Sequence, residues 1–325
     1  MIARVGLVLL FWACGVACAP AGAQEFPNRP VTMVVPFSAG GPGDIIGRLL
    51  GPAMGAALGP TIVVENAVGA GGTIGTNRVA KAAPDGYTIL LMHVGQATSV
   101  TLFRKLPYDP VEDFAPIGLV TDAPMIIVAP NDFPGTSFAE AIAHIKANPD
   151  RVLLGNAGIG SASHLCGLLL MDRVGTKLTT VQYRGGGPAL IDVMAGRLNL
   201  WCDPANGPTP YVQEGKMKAL AVSTLSRLPN LPEVPTADEA GLKGFDVSTW
   251  YGLYAPRGTP PAVIDRLLVA LRAALRDQTV KERFVALSLQ PIEESRVTPE
   301  ALRAHLVAEV AKWAPVIRKA GVFAD

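Results

Sequence analysis

Four glycine- or serine-rich stretches carry the residues of this sequence that could do chemistry: FSAGGPGD (37–44), NAVGAGGTIGT (66–76), NAGIGSASH (156–164) and YRGGGPAL (183–190). Glycine lets backbone N–H groups approach a ligand closely, and a helix start adds partial positive charge, so the chemistry is capture of a carboxylate or phosphate. Micromolar affinity needs about 8 kcal/mol. A hydrogen bond to a charged group contributes about 1.5–3 kcal/mol, so several preorganised donors suffice without a dedicated arginine. One such junction can owe its glycine to tight turning alone. The weight lies in their number and in their placement, two in each half of the chain.

The side chains beside these loops have open readings. Asp44 either stabilises the first turn of its own helix or faces the ligand. Arg184 either pairs with a ligand carboxylate or is solvated, and Asp203, after the strand-like LNLWC, is equally undecided. His93 and His164 sit at strand-end loops, where ligand contact and simple loop structure are alternatives. His144 and His305 lie in helical patterns.

Other chemistries fit less well. GAGGTIG has the wrong last spacing for a dinucleotide fingerprint, and no G-x-x-x-x-G-K-[ST] is present. The four histidines show no paired metal spacing and there is no C-x-x-C, so neither a metal nor a cofactor is expected. GSASH sets Ser161 and Ser163 beside His164 but is not G-x-S-x-G. A secreted serine hydrolase using Ser161 or Ser163 is the alternative function.

These loops need strands and helices to hold them. VTMVV (31–35), TIVVE (61–65) and YTILLM (87–92) read as strands separated by crossover helices, which is βαβ logic and implies parallel pairing. FAPIGLV and MIIVAP read as two further strands. A capping box at Ser137–Glu140 then opens a helix, and RVLLGNAG, TTVQYR, LNLWCD and MKALAVST follow as strands. STWYGLYAP (248–256) imitates DAPMIIVAP (122–130), each an apolar strand running into Ala-Pro and a helix. The following helix carries Ile264, Leu267, Leu268, Leu271 and Leu275 as an apolar stripe, and a last helix runs from about Pro299 to Ala320.

The first 23 residues follow the basic, apolar, small-residue order of a secretory signal peptide, which places the mature chain in the periplasm. That apolar core is short for a membrane span. Without Arg4 the mature chain has 27 basic and 27 acidic residues and no basic run, which argues against nucleic acid as a partner. Cys14 and Cys18 leave with the leader, Cys18 being a weak candidate for lipidation. Cys166 and Cys202 remain, either paired or free.

Seven segments together resemble the substrate-binding proteins of tripartite tricarboxylate transporters, the Bordetella uptake gene family: RPVTMVVPFSAGGPGDIIGRLL, VVENAVGAGGTIGTNRVAKAAPDGYTILL, LPYDPVEDFAPIGLV, NAGIGSASHLCG, VQYRGGGPALIDVMAGRLNLWCD, LPEVPTADEAGL and WYGLYAPRGTP. The resemblance covers essentially the whole mature chain. It implies an α/β, two-lobed type II periplasmic binding fold, each lobe a mixed sheet flanked by helices, with the ligand cleft between them. Lobe I is then 24–122 plus 247–325, and lobe II 123–246, with hinges near Asp122 and within 224–248. No catalysis is implied. The ligand would be a small organic carboxylate, a di- or tricarboxylate or an aromatic acid, delivered to a permease of one large and one small subunit. A monomer is the expected state, and service as a ligand-dependent sensor is an alternative use of the same scaffold.

Position by position, the resemblance places ligand contacts at Phe37, Ser38, Ala39, Gly40, Gly41, Gly43 and Asp44 in the first loop and at Gly71 and Gly72 in the second. In the other lobe it places them at Gly160, Ser161, Ser163, His164, Tyr183, Arg184, Gly185 and Asp203. The departures bear on ligand choice. Gly43 stands where the family often has Thr, Ser or Val, MHVGQAT brings His93 and Gln96 near the cleft, and Arg184 replaces a frequent lysine with a two-pronged donor.

Overall fold

The β-branched runs become strands and the three-to-four periodic runs become helices. The structure, a computed structural model, describes residues 26–324. The expected leader at 1–23, with Cys14 and Cys18, lies outside the described residues. In chain order, β1 (Val31–Val35) leads to α1 (Pro42–Leu58), β2 (Ile62–Asn66), α2 (Thr73–Ala80), β3 (Thr88–His93) and α3 (Gly95–Leu102), then to the long β4 (Phe114–Ala129). A second run holds α4 (Phe138–Ala147), β5 (Leu153–Asn156), α5 (Ala162–Val174), β6 (Thr179–Gln182), α6 (Gly186–Met194), β7 (Leu200–Pro204), α7 (Thr209–Gln213) and β8 (Lys218–Val222). The chain returns through β9 (Ser248–Pro256), α8 (Pro261–Arg276), α9 (Gln278–Ala286), β10 (Gln290–Pro291) and α10 (Pro299–Ala320).

The strands lie in the order β2-β1-β3-β9-β4-β7-β5-β6, and both β8 and β10 also pair with β4. Each βαβ stretch is parallel: β1 with β2 and β3, and β5 with β6 and β7. β9 and β4 run antiparallel to their neighbours, so the sheet is mixed and curled, with helices flanking it.

One strand reading needs correction. FAPIGLV and MIIVAP are not separate strands but halves of β4, which pairs with β9 from Phe114 to Pro124 and with β7 and β8 beyond it. Pro124 falls at that changeover, where a residue without an N–H does the least harm to either ladder. The segments 122–130 and 248–256 each end a strand that leads to a helix, α4 and α8, as expected. Their openings also meet, Asp122, Ala123 and Pro124 pairing antiparallel with Trp250, Thr249 and Ser248.

Local chemistry explains the ends of the outer helices. Ser137 Oγ accepts from the Glu140 N–H at 3.2 Å, while the Glu140 carboxylate reaches back to the Thr136 N–H and hydroxyl. On α8, Ile264, Leu267, Leu268 and Leu271 are buried against the sheet, and Leu275 is half-buried.

The tail is fastened to the first sheet by Glu309 of α10. Its carboxylate accepts from the indole N–H groups of Trp250 (3.2 Å) and Trp313 (2.9 Å) and from Lys312 Nζ (2.9 Å). Burial alone would raise the Glu309 pKa, but the bonds from Lys312 and Trp313 outweigh it and leave it lowered. Its contribution is therefore complete above the usual carboxylate range, near pH 4.3, and is lost as pH falls below that range. Glu309→Gln keeps one acceptor and loses the charge, so it should cost about 1 kcal/mol at neutral pH. Chemical denaturation at pH 7 and at pH 3 checks this, with a smaller difference between wild type and variant expected at pH 3.

Candidate ligand-binding site

Four helices begin around one region, α1, α2, α5 and α6, and three of them start without a side-chain cap. Their N-cap residues are Gly41, Gly72 and Gly185, and none supplies a capping hydrogen bond. By contrast, α4, α9 and α10 are capped by Ser137, Asp277 and Thr298. A glycine cap supplies no side-chain acceptor of its own, although in α2 the Thr73 N–H already donates to the Ala70 carbonyl and in α1 the first residue is Pro42.

The loops from the two halves of the chain meet. A Cβ placed on Gly187 would lie 2.5 Å from the Ala39 carbonyl oxygen, one on Gly185 would lie 2.6 Å from the Ser38 nitrogen, and one on Gly186 2.9 Å from Pro42 Cδ. Gly71 abuts the Ile159 carbonyl in the same way. Beside these loops, hydrogen bonds from Asn206 Nδ2 to the Pro42 carbonyl (3.0 Å) and from Thr98 Oγ1 to the Gly160 carbonyl (3.2 Å) also join the halves. Only glycine permits main chains this close from both sides.

Two cavities lie between these loops. The outer one, about 330 Å³, is lined by Phe37, Gly69 to Gly72, Phe103, Ala157 to Ile159 and Gln182 to Arg184. The inner one, about 20 Å³, is lined by Phe37, Gly43, His93, Ser161, Ser163, Gly186, Asp203 and Tyr251. Phe37 and Ala157 line both, and the Phe37 ring lies 4.6 Å from that of His93. The expected contacts thus divide. Phe37, Gly71, Gly72, Tyr183 and Arg184 line the outer cavity, and Phe37, Gly43, His93, Ser161, Ser163 and Asp203 the inner. Ser38, Ala39, Gly40, Gly41, Asp44, Gly160, His164 and Gly185 build the loops without lining either.

Several side chains have local work. The Asp44 carboxylate accepts from the Gly40 N–H (2.9 Å) and pairs with Arg48 (3.0 Å), while Arg48 also donates to Asn66 Oδ1 and Asn66 to the Phe37 carbonyl. This network shapes the first loop from behind. Ser161 caps α5 by accepting from the His164 N–H, and His164 Nδ1 accepts from Gly160. The Tyr183 hydroxyl donates to Asp192, and His93 Nδ1 accepts from the Gly95 N–H. Arg184 is exposed and forms no ion pair among the described residues.

Burial lowers the pKa of both His93 and His164 to about 4, so both rings are neutral near pH 7. Burial pushes the Asp203 carboxyl well above its ordinary range. Among the described residues Arg184 is then the one cation lining either cavity. Neither Ser161 nor Ser163 is hydrogen-bonded to a histidine ring: Ser163 Oγ accepts from Trp201 Nε1 at 2.9 Å. Neither serine is set against a histidine base.

Sequence reasoning missed Arg48, Asn66, Tyr251 and Asn206. Arg48 had a signal, since it stands four residues after Asp44 on a helix. Tyr251 and Asn206 arrive through tertiary packing from remote segments and had none.

A curled α/β sheet whose opposed glycine loops close on a polar cleft is the periplasmic binding protein fold. The periplasmic binding protein BugD is 47% identical with a TM-score of 0.89, covering 92% of this chain and 99% of its own. MatC from Rhodopseudomonas palustris with bound malate is 39% identical, TM-score 0.87, over 90% of this chain and 100% of its own. The R. palustris protein Rpa4515 with adipate is 32% identical, TM-score 0.87, over 92% and 99%. Residues 46–322 match the family described as the tripartite tricarboxylate transporter family receptor, TctC. The chain belongs to that family, as its motifs implied, and the family is one of solute-binding receptors.

Proposed function

We propose that this protein is an exported receptor that captures a small dicarboxylate or tricarboxylate between two lobes and delivers it to a membrane permease of one large and one small subunit. The observation that carries the reading is the set of three uncapped, glycine-started helices, α1, α2 and α6, converging from opposite halves of the chain. The helix dipoles, with those first-turn N–H groups that the loops leave unbonded, offer acceptor-only ligands a preorganised seat. Two similar proteins hold malate and adipate, both dicarboxylates. Arg184 at the outer rim supplies a two-pronged donor for one end of such an acid. Closure is a rotation of residues 123–246 against 24–122 and 247–325, taken up where β4 crosses near Asp122 and in the connection 224–248.

A thermal-shift panel of mono-, di- and tricarboxylates, aromatic acids and amino acids tests this on the chain lacking residues 1–23. Ligand at about 100 times its Kd stabilises by roughly 2.7 kcal/mol, which moves the Tm by several degrees. A response confined to di- or tricarboxylates is expected. A response confined to amino acids or aromatic acids, or none at all, overturns the substrate class.

A further inference from the structure

The inner cavity contains a group that anion capture alone does not account for. Asp203, at the end of β7, is 1% exposed, and its Oδ2 lacks a hydrogen-bond partner although it faces the cavity. Its compensating contact is the Ser163 hydroxyl, whose oxygen already accepts from Trp201. β4 sets Ile126 beside it in the ladder, and Phe37, Ala157 and Ala162 add apolar surface. α1 contributes Pro42 and Gly43, β3 contributes His93, β9 contributes Tyr251, and α6 contributes Gly186. None carries a positive charge: His93 is neutral, burial raises the Tyr251 hydroxyl well above its ordinary range, and no lysine or arginine lines the cavity. Asp44, on the first turn of α1, accepts from Gly40 and Arg48 through Oδ2 and lies against the Arg48 cation, which Asp203 lacks. An isolated carboxylate buried in such surroundings keeps its proton.

Resting on the dicarboxylate reading above, we propose that Asp203 meets the ligand as a neutral acid, its Oδ2–H donating to one oxygen of the ligand's inner carboxylate, so that binding is coupled to a single proton. The cavity has room for about one oxygen-sized group, which suits one carboxylate oxygen and not a bulkier end. The other carboxylate then lies in the outer cavity, against the glycine loops and Arg184. One proton held between two carboxyl groups lets two acidic ends meet without repulsion. The pH dependence has a definite sign. The protonated form binds, so affinity is flat below the Asp203 pKa and falls as pH rises through it, by up to about tenfold per pH unit, with about one proton taken up.

Calorimetric titration with malate and with adipate, in two buffers of different ionisation heat from about pH 6.5 to 9, reads this directly; both acids are fully ionised there. Wild-type affinity should fall, with proton uptake on binding, wherever the pH rises through the Asp203 pKa. Asp203→Asn, which keeps a donor but cannot titrate, should bind comparably to protonated wild type and lack any such fall, and Asp203→Leu should weaken binding at least tenfold at about pH 6.5. Proton release on binding, a fall that persists unchanged in Asp203→Asn, or Asp203→Asn binding as weakly as Asp203→Leu at about pH 6.5 would each overturn the role of Asp203 while leaving dicarboxylate capture standing. Wild type that binds neither acid would overturn the dicarboxylate reading itself, and this one with it.

Discussion

Replacing Gly187 by valine should weaken dicarboxylate binding by about a hundredfold or more while leaving the ligand-free protein folded. Gly187 lies in the first turn of α6, and its backbone is not in the left-handed region, so a side chain costs little locally. Across the cleft the cost is large. The added Cβ would sit 2.5 Å from the Ala39 carbonyl oxygen, which belongs to the loop of the other half. Relief requires a backbone shift of about 1 Å, and a misplacement of that size costs about 10²-fold where geometry carries the interaction. Titration with malate beside a melting curve of the free variant checks both halves of the claim. Unchanged affinity would remove these two loops from the site. Gly40 is a poorer probe: its φ is +73° with open space around it, so valine there would strain its own loop without touching the opposite one.

Loss of the Cys166–Cys202 disulfide should be the most damaging single change to stability. The bond joins α5 to β7 with Cα atoms 6.0 Å apart and closes a loop of 36 residues. Chain-entropy arguments assign a loop of that length about 4 kcal/mol. The double substitution Cys166→Ala, Cys202→Ala should therefore lower the Tm by about 6–10 °C, with reductant having a similar effect on wild type and none on the variant. Equal melting of wild type with and without reductant would contradict it. The bond also fixes α5 to β7, which carry Ser163 and Asp203 of the inner cavity.

The parts of the fold that the sequence made legible are those specified locally. β1, β3 and β9 appear within a residue of their β-branched runs, and α8 and α10 follow their apolar stripes. The continuity of β4 was not legible: FAPIGLV and MIIVAP read as two strands, and only the ladders to β9 on one side and to β7 and β8 on the other show that the strand runs on through Pro124. The glycine loops were legible for a physical reason: a site made of main chain advertises itself through the one residue that exposes main chain. Its side-chain component was not. Nothing local to Asp203 announces that it is buried without a cation, and nothing near Tyr251 announces that it lines the same cavity. Asp44 was readable only as a choice, and its Oδ2 bonds to Gly40 and Arg48 show the loop-supporting half of it.

The order of the strands has a consequence for biogenesis. β9 lies between β3 and β4, yet it is made long after both. Leu91 of β3 waits for Leu253, and Leu119 of β4 waits for Gly252. A chain emerging from its N-terminus therefore presents two apolar strand edges that only its last quarter can cover. Such edges invite pairing with other chains, and contacts so distant in sequence form slowly. Nascent or truncated forms ending before residue 248 should thus depend on holdase chaperones, and the finished protein should become aggregation-resistant only once its C-terminal segment has threaded back into the middle of the sheet.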